Sequence, residues 1–144
     1  MRVLVQKSGH SSVSVDGKLV NEIDKGLVLL VGFTQTDTEE VLDFMARKVV
    51  NLRIFEDEAG VMNKSLLDVG GSILSISQFT LYGDTSRGNR PSYLKALNGE
   101  EAIKLYEAFN KKLNEFAPTK PGIFGADMKV AILNDGSTTI ILEK

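Results

Sequence analysis

The chain has 144 residues, of which 42% are hydrophobic and 25% charged, and its formal net charge is −2. These values predict one soluble globular domain over residues 1–144. The negative net charge argues against a protein that coats nucleic acid non-specifically, although it does not forbid a local basic patch. We also expect no resident cofactor and no DNA partner. The absence of cysteine excludes disulfides, thiolate metal sites and a cysteine nucleophile, and no segment approaches the roughly 20 apolar residues of a membrane span. We therefore expect a cytoplasmic protein without a membrane partner.

The first third of the chain is predicted to form strands. Val3–Gln6 is apolar and β-prone, and Ser12–Val15 alternates between apolar and polar residues. The dipeptide Asp16-Gly17 that follows is a strong hairpin signal before Lys18–Val20. Leu27–Phe33 is apolar on both faces, which is typical of a central strand and too short for a good helix.

Two segments are predicted to be helical. Thr36–Glu40 has the pattern of a helix start, with Asp37 and Glu40 at capping-box spacing. Asn98-Gly99 opens a second helix whose apolar residues recur at helical spacing until Pro118 stops it.

Two further segments have the pattern of hairpins. Phe55–Met62 is expected to turn at residues 57–60, and a closing hairpin is expected from Met128–Leu133, the turn Asn134–Gly136 and Thr139–Leu142. Strands outnumber helices and do not alternate with them. The class is therefore α+β, with a curved, barrel-like mixed sheet and two main helices packed against it.

The segment Gly70–Asp84 contains the strand around which we expect the site to form. Its apolar residues begin at Ile73, and with a period of two each face of the strand becomes polar towards Gln78. Buried polar groups need partners, so two interpretations are open. Either the strand runs out into solvent, or Ser77–Thr80 forms the floor of a site made of hydroxyls, an amide and an aromatic ring.

Other candidate catalytic groups have little support. His10, the single histidine, lies in a polar loop with nothing nearby to make a triad. The acidic run Glu56–Glu58 falls at a predicted turn, and Gly70-Gly71 is not followed by the lysine of a phosphate-binding loop. Any catalysis must therefore run without a metal, a thiol or a strong side-chain base.

The segment Ser77–Leu81 resembles the signature of the D-aminoacyl-tRNA deacylases, which release tRNA from mischarged D-amino acids. Further similar stretches occur in the same order along nearly the whole chain: Asn51–Asp57, Gly60–Asn63, Arg90–Tyr93 and Gly122–Met128. The resemblance implies a homodimeric ester hydrolase that acts on the 3′ end of aminoacyl-tRNA. It also extends the expected substrates to glycyl-tRNA mischarged on the alanine tRNA.

The resemblance also implies how the reaction is catalysed. The ester is already activated by the neighbouring ribose hydroxyl, so positioning and oxyanion stabilisation would suffice. Carried over to this chain, the catalytic residues are Ser77, Gln78, Phe79 and Thr80. Phe79 would flank the terminal adenine or ribose, and Gln78 with nearby amides would hold the carbonyl. Thr80 is either a nucleophile or a hydrogen-bonding group, and we favour the second role because no base lies beside it.

This chain departs from the family at its chirality gate. Relatives carry a cis Gly-Pro bond that reaches into the partner subunit's site, whereas this chain has Gly136-Ser137-Thr138. A cis bond before a residue other than proline costs about 2.5–4 kcal/mol, so either the fold forces the cis bond at that cost or the turn relaxes to trans. We favour relaxation, which would weaken chiral selectivity. The replacement can also be interpreted as ordinary drift on an active enzyme, or as a change of substrate. Relatives also have arginine where this chain has Lys7, and lysine braces a loop less firmly. The resemblance places Met128 with these substrate-binding residues.

Two groups of basic residues are candidates for phosphate contacts. Arg87, Arg90 and Lys95 follow the signature, and Lys111, Lys112 and Lys120 lie on or after the second helix. Two alternative functions stay open: a tRNA- or nucleotide-binding module that has lost catalysis together with the Gly-Pro gate, and deacylation of some other mischarged aminoacyl-tRNA.

Overall fold

The computed structural model describes all residues, 1–144. The chain contains ten strands, three α-helices and one 3₁₀ turn at Phe79–Tyr82. The strands are β1 (Arg2–Ser8), β2 (Ser11–Val15), β3 (Lys18–Ile23), β4 (Gly26–Gly32), β5 (Phe55–Glu56), β6 (Met62–Lys64), β7 (Ser72–Ser77), β8 (Thr119–Pro121), β9 (Met128–Ala131) and β10 (Asn134–Glu143). The helices are α1 (Glu39–Asn51), α2 (Leu66–Val69) and α3 (Gly99–Phe116).

The strands form separate sheets. A five-stranded sheet has the order β10-β1-β4-β7-β8, a three-stranded sheet has the order β3-β2-β9, and β5 pairs with β6. Within the large sheet β4, β7 and β8 run parallel to one another, while β1 is antiparallel to both of its neighbours. The α+β class and the two long helices are confirmed, and the sheets do not close into a barrel.

The large sheet buries both of its faces. One face packs against α1 and α3, through residues such as Leu27, Leu29 and Ile73. The other face packs against the three-stranded sheet, through residues such as Val28 and Leu74. This arrangement explains why the predicted central strand, β4, is apolar at every position.

The predicted cap of the first helix was wrong. Thr38 is the residue that caps α1, accepting a hydrogen bond from the backbone N–H of Val41. Asp37 instead lies 2.6 Å from the ammonium group of Met1 and accepts a bond from the backbone N–H of Thr34. The ammonium group of Met1, which directly precedes β1, therefore takes the carboxylate that local spacing assigned to the helix. A full positive charge attracts a carboxylate more strongly than a backbone N–H does.

The closing hairpin was also wrong, because β9 and β10 belong to different sheets. Strand β9 pairs with β2, whereas β10 pairs with β1. The chain crosses between the sheets at Leu133, whose N–H donates to the hydroxyl of Ser11 and whose carbonyl accepts from Gly9. The link between β1 and β2 thus holds the crossing point, which no hairpin signal in the sequence indicates.

The signature strand is shorter than the alternation predicted. Strand β7 ends at Ser77, and the 3₁₀ turn then carries Phe79 and Thr80 away from the sheet. Hence Phe79 and Thr80 do not continue the two faces of the strand. None of the helices combines the length and the apolarity needed to cross a lipid bilayer.

Candidate active site

A cavity of about 670 Å³ opens at the end of the large sheet where β4 and β7 finish. Because β4 and β7 are parallel, their carboxyl ends meet here, where Val31 pairs with Ser77. The N-terminus of α3 and the segment before β9 complete the walls. The lining residues are Val31, Gly32, Phe33, Ile76, Ser77, Gln78, Phe79, Tyr93, Ala96, Leu97, Asn98, Gly99, Ala102, Phe124, Gly125, Ala126, Asp127, Met128 and Val130.

The signature residues lie at this cavity. Its lining includes Ser77, Gln78, Phe79 and Met128. Thr80 is not among the lining residues, but its Oγ1 accepts a hydrogen bond of 2.5 Å from Nε2 of Gln78. Four of the residues named from the sequence therefore come together around the cavity, and the fifth is bonded to one of them.

Two backbone N–H groups beside the cavity, those of Phe79 and Thr80, are not used by the hydrogen bonds of the sheet or of the 3₁₀ turn. The N–H of Gln78 still completes the sheet by donating to the carbonyl of Val31 at 2.7 Å. The next two residues, Phe79 and Thr80, open the 3₁₀ turn, so their N–H groups have no acceptor within that turn. They form a pair of backbone donors two and three residues after Ser77, the last residue of β7.

Aromatic rings form the mouth of the cavity. The rings of Phe79 and Tyr93 meet edge to face with their centroids 5.0 Å apart, and both residues are exposed, at 55% and 40%. Phe124 lies deeper, with its ring 5.8 Å from that of Tyr106. Sequence reasoning did not assign a role to Tyr93 or Phe124, although both lie in stretches that carry the family resemblance.

A buried polar network supports the strand behind the cavity. The hydroxyl of Ser75 donates to Oδ1 of Asn110 at 2.7 Å, and the hydroxyl of Tyr106 donates to the carbonyl of Ser75 at 2.6 Å. The N–H of Gly122 donates to that carbonyl as well. Burial raises the pKa of Tyr106, so this phenol stays a hydrogen-bond donor. The network ties β7 to α3 and to the segment that leads into the cavity wall.

The expected gate residues lie together, but outside the cavity of their own chain. Thr139 pairs with Gln6 and Asn134 with Ser8, so residues 135–138 bulge out opposite Lys7. Lys7 is 7% exposed, and its Nζ lies 3.5 Å from the position that a Cβ on Gly136 would occupy. Gly136 has a φ of 85°, and the bond to Ser137 is trans, as expected from the sequence.

The turn at the gate is held by side chains other than Lys7. The amide of Asn134 donates to the carbonyls of Lys7 and Thr138, both at 3.1 Å. The hydroxyl of Thr139 donates to the carbonyl of Ser137 at 3.2 Å. Neither Lys7 nor residues 136–138 line the cavity.

The titratable groups near the cavity are few. Asp127 is the one carboxylate in its lining, with a side chain 88% exposed and 3.3 Å from Nζ of Lys129. His10 lies away from the lining, and its Nε2 contacts a carboxylate oxygen of Glu22 at 3.1 Å. No cluster of three or more histidine, cysteine, aspartate or glutamate side chains exists that could hold a metal ion.

Comparison with known proteins identifies relatives over the whole chain. The family model described as D-Tyr-tRNA(Tyr) deacylase matches residues 4–143. A solved structure described as "c-Myc DNA Unwinding Element Binding Protein" has a TM-score of 0.95 and 40% sequence identity, covering 100% of this chain and 99% of that one. A structure described as a "probable eukaryotic D-amino acid tRNA deacylase" has a TM-score of 0.84 at 17% identity, covering 98% and 97% of the two chains. The last comparison bears on the fold alone.

Proposed function

Since the chain belongs to the D-Tyr-tRNA(Tyr) deacylase family, whose enzymes are hydrolases that act on tRNA esters, we propose that it hydrolyses D-aminoacyl-tRNA to free tRNA and the D-amino acid. Glycyl-tRNA mischarged on the alanine tRNA is the second substrate that we propose. The observation that supports both is the cavity bordered by Ser77, Gln78 and Phe79. Its volume of about 670 Å³ is within the range of about 300–1,000 Å³ typical of small-ligand sites. It would therefore hold the terminal nucleoside with its amino acid, while the body of the tRNA stays outside.

The proposed reaction is a simple hydrolysis. Water attacks the ester carbonyl carbon, the bond between that carbon and the 3′ oxygen of the ribose breaks, and the leaving oxygen takes up a proton. The products are a tRNA with a free 3′ hydroxyl and an amino acid carboxylate. The 2′ hydroxyl of the same ribose lies next to the ester and can assist the proton transfer, so the protein itself need not supply a strong base.

The protein's part is to stabilise the oxyanion and orient the ester. The N–H groups of Phe79 and Thr80 have no acceptor within their turn, and the side-chain amide of Gln78 has a second N–H besides the one bonded to Thr80. Such preorganised donors are worth several kcal/mol when they face developing negative charge. Since the oxygen of Thr80 accepts from Gln78, we propose that Thr80 fixes the amide of Gln78 and is not the nucleophile.

We also propose that the enzyme works as a homodimer. Residues 136–138 do not line the cavity of their own chain, so a role as the gate over an amino acid held in a cavity requires a second copy to bring them to it. They lie on β10, an edge strand of the large sheet, whose Ile141 is 67% exposed. An exposed apolar edge strand of this kind is suited to pairing with another copy.

The alternative is a binding module on the same fold that has lost catalysis. Incubation of purified protein with D-tyrosyl-tRNA and with glycyl-tRNA in the presence of a chelator separates the two functions. Release of the amino acid supports the hydrolase, and tight binding without release supports the module. We keep tRNA rather than DNA as the proposed partner, because the family whose model matches residues 4–143 acts on tRNA.

A further inference from the structure

A cationic segment stands beside the mouth of the cavity. We call it the arm and define it as residues Asp84–Lys95. Apart from the half-buried Asp84, all of its residues are exposed. It carries Arg87, Arg90 and Lys95 against the single acid Asp84, a charge of +2 in a chain whose net charge is −2. The rest of the chain therefore has a negative net charge, and the arm beside the cavity has the opposite sign.

The structure holds the arm in place at its base. Asp84 and Ser92 exchange two backbone hydrogen bonds of 2.8 and 2.9 Å, which close the loop between them. Beyond that bridge, the side-chain amide of Gln35 donates to the carbonyls of Leu94 and Ala96, both at 3.1 Å. The arm therefore leaves and rejoins the body of the protein at defined points, although its tip is exposed.

The two arginines of the arm have no partner within the chain. No carboxylate lies within 4.0 Å of Arg87 or Arg90, whereas Lys95 lies 4.0 Å from Asp84. The carboxylate of Asp84 also accepts a bond of 2.9 Å from the N–H of Ser86. This acid is thus engaged by the arm's own backbone and does not neutralise the arginines.

Tyr93 connects the arm to the cavity. It lines the cavity and contacts Phe79 through the aromatic pair described above. Arg90 is three residues from Tyr93 along the chain, so their Cα atoms are separated by at most about 11 Å. Exposed aromatic rings beside unpaired cations are the combination with which proteins bind single-stranded nucleic acid, the rings stacking on bases and the cations meeting phosphates.

We propose that the arm binds the single-stranded 3′ strand of a tRNA, next to the terminal nucleotide in the cavity. Arg87 and Arg90 contact its phosphates, and Tyr93 stacks on a base. The proposal rests on the proposed function, because that function places the terminal nucleotide in the cavity. Phosphate contacts and stacking carry little base specificity, so the arm should serve tRNAs of different identity alike.

The test compares Arg87→Ala/Arg90→Ala with a charge-matched control, Arg47→Ala/Lys48→Ala, whose residues are exposed on α1 away from the cavity. Each protein is assayed on D-tyrosyl-tRNA and on D-tyrosyl-adenosine, which has the same ester but no phosphate. For the arm variant we expect KM for the tRNA to rise about tenfold or more at low salt, with kcat unchanged. The slope of log(kcat/KM) against log salt should become shallower by about 1.4, or 0.7 for each single-strand phosphate contact.

Hydrolysis of D-tyrosyl-adenosine by the arm variant should stay at the wild-type rate, and the control should match the wild type on both substrates. An equal loss on both substrates, or an unchanged salt slope, would overturn the proposal. So would a duplex DNA that binds as tightly as tRNA and loses the same affinity in the arm variant. Binding of uncharged tRNA is measured in parallel, and it tests the arm even if the wild type cleaves neither ester. Lack of cleavage by the wild type would count against the proposed function alone.

Discussion

Removing the hydroxyl of Thr80 decides between positioning and covalent catalysis. Thr80→Val keeps the shape of the side chain but deletes the oxygen that accepts the 2.5 Å bond from Gln78. One such bond contributes about 0.5–1.5 kcal/mol, which corresponds to a rate change of about 2- to 13-fold. Because Thr80 is exposed and water can replace the lost partner, we expect kcat to fall towards the lower end of that range.

A nucleophilic threonine gives a very different magnitude. Loss of the nucleophile in a covalent hydrolase costs on the order of 10⁶ in kcat, so the two mechanisms are separated by several orders of magnitude. The assay is single-turnover deacylation of D-tyrosyl-tRNA by the wild type, Thr80→Val and Thr80→Ser. Thr36→Val serves as the control, since Thr36 is exposed and outside the cavity.

Gln78→Ala completes the series, because it removes a proposed oxyanion donor and should cost about 10²–10³ in kcat. We expect Phe79→Ala also to slow turnover more than Thr80→Val does, since it removes the ring at the mouth of the cavity. The positioning mechanism would be refuted if Thr80→Val lost all activity while tRNA binding persisted and Thr80→Ser remained active. Trapping an amino acid covalently on Thr80 would establish the other route.

Three further predictions concern the gate, the metal and the supporting network. Ser137→Pro should stiffen the turn and raise the ratio of deacylation rates on D- and L-tyrosyl-tRNA; an unchanged ratio in a folded protein would show that selectivity does not depend on this turn. A chelator and His10→Ala should each change the rate less than about tenfold, or 1.4 kcal/mol of barrier, and a greater loss would contradict the proposed mechanism. Tyr106→Phe should lower the free energy of unfolding by about 1 kcal/mol in urea titrations, by deleting the bond to the carbonyl of Ser75. Burial raises the pKa of Tyr106 in the folded protein. The stability that its protonated hydroxyl contributes is therefore complete below the unfolded-state pKa of about 10 and is lost as the pH rises through the folded-state pKa. Over that alkaline range Tyr106→Phe should lose less stability than the wild type.

Much of the fold could be predicted where the signal is local. The run of apolar residues that forms β4 and the turn at Asp16-Gly17 are confirmed, because pattern and turn chemistry act over a few residues. The partners of β9 and β10 could not be predicted in this way. The partners of these strands depend on the bond between Leu133 and Ser11 at the start of β2. These two residues are more than a hundred positions apart in the sequence.

The candidate site shows the same limit. Ser77, Gln78 and Phe79 could be named from one contiguous stretch, and all three border the cavity. Tyr93 and Asn98 reach the same cavity only because the loop after the 3₁₀ turn folds back onto the end of β4, where Leu97 donates to the carbonyl of Phe33. The periodicity of apolar residues gives no indication that the loop folds back in this way.

The pairing of β1 with β10 has a consequence for the order in which the protein acquires its parts during synthesis. The first strand of the chain pairs with the last, and the ammonium group of Met1 donates to the carbonyl of Lys144 at 2.9 Å. At about 5–20 residues per second, β1 waits many seconds on the ribosome with that edge unpaired. By then β4, β7 and α3, which form the cavity, have already emerged. Residues 136–138 emerge with β10, so the nascent protein gains the walls of its cavity before the element expected to select the substrate.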